Sequence, residues 1–318
     1  MTFATAMPRV SVITPAYNVE RYIADTMWSV LHQSYSDLEI VVADDGSTDA
    51  TLAVARAIAR SDPDRVQVLA RPNGGPSAAR NAAIAAARGE FLALVDSDDI
   101  WEREFLERQM AILAARPDVD LVTGNGRYLG SLRHGQPVRP YPDRRPPVSL
   151  ETIIADEEAV YVMTVFRRRV YDTIGGFDET LRGSEDFEFW LRAALAGFRF
   201  ARNDEPLSWY RRRDHSLSTD SITMLTGALT VCRRTRPACA DRPEREVLER
   251  KIEYYAAELD AAQARHALRT GNAGEAARAL RSLQARRPSL RHAIAAALAG
   301  RAGRVLSAMY QIKRAVQA

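Results

Sequence analysis

Short runs of apolar and β-branched residues alternate with amphipathic stretches through the first 123 residues of the chain. The runs predict five strands, at residues 10–14, 38–43, 66–69, 91–95 and 119–123. Between them, apolar residues recur at helical spacing, as at Ile23, Met27, Val30 and Leu31, and predict further helices near residues 52–58, 77–88 and 101–115. Strands that alternate with helices in this way favour an α/β class with a doubly wound, mostly parallel sheet flanked by helices.

An irregular segment follows the fifth predicted strand, and from Leu150 the pattern of the chain becomes less regular. Proline, glycine and arginine dominate residues 124–147, and we expect a mobile loop there rather than core. A Gly-Gly-Phe-Asp turn at residues 175–178 precedes a helix on which Phe187 and Trp190 share one apolar face. We expect both aromatic side chains to lie in the core. Residues 198–210 return to a β-type sequence.

Strand patterns disappear after about residue 218, and the rest of the chain reads as helix rich in alanine and arginine. We therefore expect two domains, residues 1–218 and an all-helical C-terminal extension at residues 219–318. Residues 264–280 resemble a single tetratricopeptide-type helical hairpin, with its turn at residues 270–272. Residues 301–314 are basic and amphipathic. Packing on the extension is the favoured interpretation, and binding to an anionic membrane or dimerisation stays open.

Composition removes several classes of function. The 318 residues carry a net charge of +3, so overall charge gives no argument for a nucleic-acid partner. No segment approaches the length of about 20 apolar residues that a membrane span needs. We therefore expect a soluble or at most peripheral protein. Cys232 and Cys239 lie in a helical stretch without metal-ligand neighbours, so we expect free thiols and a cytoplasmic location.

Two acidic clusters, at residues 44–49 and 96–99, each follow directly on a predicted strand. Because the carboxyl ends of parallel strands line the ligand crevice of open α/β sheets, the clusters predict a divalent cation with an anionic ligand. Some of these carboxylates have simpler explanations. Asp49 is suited to capping the next helix, and Asp99 to beginning the helix that follows it.

Other motif interpretations fail on single residues. Residues 96–107 resemble an EF-hand loop, but Trp101 occupies the position that needs glycine. The glycines of residues 124–130 nearly match the dinucleotide fingerprint, yet their spacing is one residue too long. Residues 73–80 lack the lysine of a P-loop, so an ATPase has no support.

Five ordered motifs resemble those of the family 2 glycosyltransferases. They lie at residues 10–18, 44–49, 73–81, 96–98 and 183–186. The resemblance covers about two thirds of the chain. It implies the GT-A fold, a Rossmann-like sheet that binds nucleotide sugars. It also implies transfer of a sugar from a nucleotide diphosphate donor, which we expect to be a UDP-sugar, to an acceptor hydroxyl with inversion. The cofactor would be Mn²⁺ or Mg²⁺.

The resemblance also implies a donor-binding set. Thr14, Ala16 and Tyr17 would cradle the nucleobase, and Asp44 would accept a hydrogen bond from it. Arg80 would lie close to the base and the diphosphate, because its forked guanidinium suits planar and phosphate acceptors.

A metal set follows from the same motifs. A carboxylate-bound divalent cation neutralises a departing nucleoside diphosphate, and Asp98 is the expected ligand. Asp96 lies two residues earlier on the same face and would contact the ribose or a metal-bound water. His215 is the histidine nearest to the position where many family members place one beside the metal.

The catalytic base implied by the resemblance is Asp186, which would take the proton of the attacking hydroxyl. Ser184 is placed to cap the following helix. Glu185 and Asp186 would then lie in its first turn, where the helix dipole favours the ionised carboxylate. Stabilisation of a helix start is the competing explanation for both acidic residues.

Two functions follow, from different classes. The first is an active inverting glycosyltransferase in bacterial surface polysaccharide, glycolipid or glycoprotein assembly, with a glycan, glycolipid or protein acceptor. The second is a non-catalytic protein that keeps the fold and binds nucleotide sugars. A nucleotidyltransferase also uses metal and carboxylates, but it would release pyrophosphate instead of a nucleoside diphosphate.

Overall fold

The chain divides into two compact units, Met1–Ser216 and Leu217–Ala318. The structure, a computed structural model, describes residues 8–130, 132–212, 220–289, 293–294 and 297. His215, the predicted domain boundary at residue 218 and the basic segment 301–314 lie outside the described residues, so the expectations placed on them stay predictions.

The first unit has a sheet of eight strands with helices between them. In chain order the elements are β1 (Val10–Ala16), α1 (Ile23–Leu31), β2 (Leu38–Asp44), α2 (Thr51–Ser61), β3 (Val66–Ala70), α3 (Pro76–Ala86), β4 (Phe91–Leu94), β5 (Ile100–Trp101), α4 (Phe105–Ala115), β6 (Leu121–Leu129), α5 (Leu150–Ala155), β7 (Thr164–Arg167), α6 (Arg168–Ile174), α7 (Glu185–Leu195) and β8 (Phe200–Arg211). The strand order across the sheet is β3-β2-β1-β4-β7-β6-β8-β5.

Parallel pairing dominates the half of the sheet that contains β1 to β4. Strands β1, β2 and β4 are buried along nearly their whole length, because helices cover both faces of a parallel sheet. This burial explains why their sequences are mainly apolar, and the buried Ser11 and Glu39 in β1 and β2 are hydrogen-bonded to each other. The predicted α/β class with a mostly parallel sheet is confirmed, and so are the core positions of Phe187 and Trp190.

The strand registers bring the ends of β1, β2 and β4 to one edge of the sheet. Ala16 pairs with Asp44, and Ile13 pairs with Leu94 two residues before Asp96. Strand β7 runs antiparallel to β4, so its first residue, Thr164, lies at this same edge. Both acidic clusters therefore lie at one edge of the sheet, as their positions after strands predict.

The expected loop at residues 124–147 is wrong in its first part. Strand β6 continues to Leu129, beside β8. Asn125 and Arg139 are both buried. The Asn125 amide oxygen accepts the backbone N–H groups of Gly126 and Arg139, and its nitrogen donates to the Asp204 carbonyl. Internal hydrogen bonds thus allow polar residues and glycines to lie inside the fold.

The helix expected at residues 101–115 begins later, at Phe105. Trp101 instead belongs to the short strand β5, which pairs antiparallel with β8. The Trp101 ring stacks on Phe105 at 4.3 Å between centroids. Strand β7 and helices α5 and α6 carry no clear periodic pattern and were not predicted, since each is only four to seven residues long.

The second unit is helical over its described residues. It contains α8 (Ser221–Thr235), a 3₁₀ turn (Arg236–Cys239), α9 (Arg245–Arg269) and α10 (Ala273–Arg286). Helices α9 and α10 form the hairpin expected from residues 270–272, and Asn272 caps α10 by accepting the Glu275 amide at 3.1 Å. Cys232 and Cys239 are buried free thiols, as expected. None of the helices described is long and apolar enough to cross a bilayer.

Candidate active site

The ends of β1 and β2 form the region predicted to hold a nucleobase. Thr14 and Asp44 are buried, and Thr14 Oγ1 and Asp44 Oδ1 have no hydrogen-bond partner. Ala16 is buried beside them at the end of β1, whereas the Tyr17 side chain is 49% exposed. Buried polar atoms without partners are costly, so this pair marks a surface that a polar ligand would complete.

The loops that follow β1 and β2 hold each other in place. Asn18 has a positive φ of 51°, and its side-chain oxygen accepts the Thr48 amide at 2.9 Å. In return the Asn18 amide donates to Ser47 Oγ at 3.0 Å. Asp49 accepts the amide of Thr51, the first residue of α2, so it serves the helix start as expected.

A second carboxylate of the first cluster, Asp45, was not singled out from the sequence. It is buried, pairs with Arg71, and accepts the amides of Gly74 and Gly75 at 3.1 and 2.7 Å. Asp45 therefore ties the end of β2 to the start of α3. The two consecutive glycines before α3 are a signal in the sequence that a side chain approaches the backbone closely.

Arg80 of α3 is placed differently from a free phosphate-binding arginine. The residue is 4% exposed, Nη2 donates to Asp96 Oδ1 at 2.7 Å, and Nη1 donates to Glu185 Oε1 at 2.6 Å. Burial disfavours its charge, but the two carboxylates outweigh burial and raise the pKa of Arg80 above its ordinary value. Only Nε, which is buried and without a partner, remains unused. The expected contact of Arg80 with base and diphosphate stays a prediction.

Asn81, the next residue, joins α3 to the Gly-Gly-Phe-Asp turn. Its side chain accepts the Phe177 amide at 2.8 Å and donates to the Phe177 carbonyl at 2.9 Å. Its Oδ1 lies only 2.5 Å from the position that a Cβ on Gly176 would take. This close approach requires glycine at residue 176 and fixes the segment that leads to α7.

The second acidic cluster contains three carboxylates in different environments. The Asp96 side chain is 32% exposed, Asp98 is 9% exposed, and Asp99 is fully buried. Asp99 accepts the Arg211 amide at 2.8 Å, and Arg211 Nε donates to the Asp98 carbonyl at the same distance. The expectation that Asp99 begins a helix is therefore wrong, because it anchors the end of β8. Burial, together with Asp98, raises the pKa of Asp99.

The donor atoms at this edge suit a hard divalent cation that a ligand completes. Asp96 and Asp98 supply carboxylate oxygens, and the adjacent Asp99 has one buried oxygen without a partner. Over the residues that the structure describes, no group of three or more His, Cys, Asp or Glu is arranged to hold a metal by itself. Mg²⁺-type sites commonly use one or two carboxylates plus phosphate oxygens, so these residues fit such an ion bound together with a diphosphate.

Asp186 lies in the first turn of α7, but the turn differs from the expected one. Ser184 has a left-handed backbone, with φ at 59°, and makes no side-chain cap, so that expectation is wrong. Asp186 Oδ1 accepts the Phe187 amide at 2.8 Å. Burial and the neighbouring Glu185 raise the pKa of Asp186 to about 7, against the expected preference for the ionised form. A carboxylate with this pKa is well matched to proton transfer near neutral pH.

Solved structures share this arrangement of elements. S. aureus TarS in complex with UDP-GlcNAc superposes with a TM-score of 0.65 at 20% identity, over 96% of this chain and 92% of TarS. The mannosyltransferase PcManGT of Pyrobaculum calidifontis, in complex with GDP-Man and Mn²⁺, gives a TM-score of 0.62 at 24% identity, over 98% and 87%. The fold is therefore of the GT-A kind.

Sequence relatives extend this result from fold to family. TuaG of Bacillus subtilis, a glycosyltransferase assigned to teichuronic acid biosynthesis, is 31% identical over 67% of this chain and 82% of TuaG. The model of the family described as "Glycosyl transferase family 2" matches residues 11–175. The chain belongs to glycosyl transferase family 2 and is a glycosyltransferase.

Proposed function

We propose that this chain transfers a sugar from a nucleotide diphosphate sugar to an acceptor hydroxyl, with inversion at the anomeric carbon. The observation that carries the proposal is the position of Arg80, which joins Asp96 of the second acidic cluster to Glu185, the neighbour of Asp186. One buried arginine thus joins the segment that carries the proposed metal ligand to the segment that carries the proposed base, although about 90 residues separate the two segments in the sequence.

The donor is bound at the ends of β1 and β2. Thr14 Oγ1 and Asp44 Oδ1, which lack partners, would bond to the nucleobase beside Ala16 and the exposed Tyr17 ring. A UDP-sugar is the first candidate, because TarS, which has the same fold, was solved with UDP-GlcNAc. PcManGT, solved with GDP-Man, makes GDP-mannose the second candidate.

Asp98 would hold a divalent metal ion, with Asp96 beside it and His215 as a further candidate ligand. When bound, the ion supplies positive charge that stabilises the departing nucleoside diphosphate. The Mn²⁺ in the PcManGT structure supports Mn²⁺ or Mg²⁺ as the cation. Arg80 orients Asp96 by donating a hydrogen bond to one of its carboxylate oxygens.

Asp186 acts as the base. The acceptor oxygen attacks the anomeric carbon from the face opposite to the diphosphate. As its new bond forms, the bond to the diphosphate oxygen breaks, and the hydroxyl proton passes to Asp186. Attack from the opposite face inverts the configuration. The raised pKa of Asp186 makes it a stronger proton acceptor than an ordinary aspartate.

The biological setting that we propose is assembly of a bacterial surface polysaccharide, glycolipid or glycoprotein. Its support is the similarity to TuaG, which is assigned to teichuronic acid biosynthesis. The buried free thiols of Cys232 and Cys239 are consistent with a reducing cytoplasm.

A ligand panel with a product assay tests the proposal. A ligand that binds only the folded state raises the melting temperature, so UDP, GDP and their sugars should be screened with and without Mn²⁺. We expect one donor to raise the melting temperature in a metal-dependent way and to release a nucleoside diphosphate slowly without acceptor. Binding without turnover would favour a non-catalytic nucleotide-sugar-binding protein, and release of pyrophosphate would indicate a nucleotidyltransferase.

A further inference from the structure

Glu185 does more in this structure than start a helix. Its side chain is only 9% exposed, and Oε1 accepts Arg80 Nη1 at 2.6 Å. A carboxylate that merely stabilised the first turn of α7 through the helix dipole would be expected at the solvent surface. Burial of Glu185 against a buried guanidinium is costly unless both charges are well paired, so the contact requires an explanation.

Arg80 is held from two sides. Its second terminal nitrogen donates to Asp96 Oδ1 at 2.7 Å, and its guanidinium carbon lies 5.5 Å from the centroid of the Phe177 ring. A guanidinium is planar and rigid, so fixing one nitrogen at Glu185 also fixes the direction of the other. The orientation of Asp96 is therefore linked to Glu185 through a single flat group.

The linked residues come from three separate parts of the chain. Arg80 belongs to α3, Asp96 follows β4, and Glu185 opens α7. Asp186, adjacent to Glu185, is the proposed base. The chain thus connects its donor-side carboxylate, Asp96, to its proposed base through one buried cation, Arg80, and one further carboxylate, Glu185.

We propose that Glu185 is a positioning residue, which orients Asp96 through Arg80 and keeps a negative charge beside Asp186. This inference rests on the proposed function, because it assigns Glu185 to the same site. It gives the two consecutive acidic residues different jobs: Asp186 takes the proton, and Glu185 fixes the geometry and the charge around it.

The charges around Asp186 support this division. Burial has the largest effect on its pKa and raises it, Glu185 and Asp96 raise it further, and Arg80 lowers it. Removing the charge of Glu185 takes away one repulsive neighbour and leaves the attraction of Arg80 less opposed. Both changes favour the ionised form of Asp186, so its pKa should fall.

Glu185→Gln is the variant that tests the inference. Glutamine has nearly the same shape and its carbonyl oxygen still accepts a hydrogen bond from Arg80, but its charge is lost. The assay follows release of UDP or GDP from the donor that the ligand panel identifies, with Mn²⁺, between pH 5 and pH 9. We expect the acid limb of kcat/KM to move to lower pH, while kcat on its plateau falls about tenfold or more because Asp96 and the base are less well placed.

Glu188→Gln is the matched control. Glu188 lies one turn later on α7 and pairs with Arg192 at 2.6 Å, so Glu188→Gln also removes a partly buried, paired carboxylate from the helix. We expect Glu188→Gln to lower the melting temperature and leave the acid limb in place. An unmoved limb in Glu185→Gln, or an equal movement in both variants, would overturn the inference.

A readout without substrate separates this inference from the proposed function. Because folding raises the pKa of Asp186 from 3.8 to about 7, the folded state binds more protons, and stability falls as pH rises through that window. Urea unfolding should show a shallower fall in Glu185→Gln than in Glu188→Gln. If the wild-type chain turns over no donor but this difference is present, the proposed function fails and the charge coupling stands. Equal slopes with an active wild type would refute the coupling alone.

Discussion

Arginine–carboxylate pairs occur in both units of the protein, but they lie in opposite environments. In the sheet unit, the side chains of Arg80 and Glu185 are 5% and 9% exposed. In the helical unit, the side chains of Arg236 and Glu249 are 61% and 32% exposed, although their N–O distance is the same 2.6 Å. Two ion pairs with the same N–O distance therefore differ strongly in the hydration that their charges keep.

This difference in burial indicates which ion pairs have a functional role. Exposed ion pairs contribute little to stability, because water and salt screen them and both side chains lose freedom. Buried pairs lose their hydration and are rarely the most stable choice for a core. The sheet unit nevertheless buries Arg80 with Glu185 beside the candidate active site, and we attribute this to catalysis. Three substitutions test that comparison.

The largest effect is expected from Asp186→Asn in the sheet unit. An amide is nearly the same shape as the carboxyl group but cannot accept a proton in the transfer step. We expect kcat to fall by about 100- to 10,000-fold, as for loss of a general base. Donor binding in the thermal-shift assay should be retained, which serves as the control for folding. Transfer at the wild-type rate would remove Asp186 from the mechanism.

Arg80→Met is expected to have the next largest effect, and it acts on stability. It removes the cation between Asp96 and Glu185 and leaves two carboxylates without their counter-charge. The free energy of unfolding in urea at pH 7 should fall by about 3 kcal/mol or more. Arg80→Lys keeps the charge but not the fork and should lose less. A loss below about 1 kcal/mol in Arg80→Met would mean that the buried cluster contributes no more to the free energy of unfolding than a surface ion pair does.

The smallest effect is expected in the helical unit, from Arg236→Ala. Because Arg236 pairs with Glu249 at the exposed surface, we expect the melting temperature to change by no more than about 2 °C. Transfer activity should stay at the wild-type level. A clear loss of melting temperature or of activity would show that the exposed ion pairs contribute more to stability or function than we infer from their exposure.

Much of the sheet unit was predictable because three of its parallel strands, β1, β2 and β4, are buried on both faces. Residues 10–14, 38–43, 66–69 and 91–95 are runs of mainly apolar and β-branched residues, and each overlaps the strand observed there. Strand β6 beyond residue 123 was missed, because Asn125 and its glycines are stabilised by hydrogen bonds that depend on distant residues. Local periodicity does not reveal such partners.

The candidate site was predictable as a list of residues, but its connections were not. Acidic residues after strands, and the motif order, identify Asp44, Asp96, Asp98 and Asp186. Asp45 and Glu185 look like ordinary loop or helix-start residues in the sequence. Their importance comes from contacts with Arg71 and Arg80, across 26 and 105 residues respectively. The pKa of Asp186 likewise depends on its burial and on the nearby charges of Glu185 and Arg80, which the sequence does not reveal.

The burial of Arg80 determines how its ion pairs respond to ionic strength. At physiological salt the screening length is about 8 Å, and dissolved ions weaken the attraction between exposed charges much more than the attraction within a buried pair such as that of Arg80, which is 4% exposed. Added salt would therefore weaken the surface pairs of the helical unit while the guanidinium beside Asp96 and Glu185 keeps its partners. The geometry of the Arg80 cluster would then persist at salt concentrations that weaken the ion pairs on the C-terminal helices.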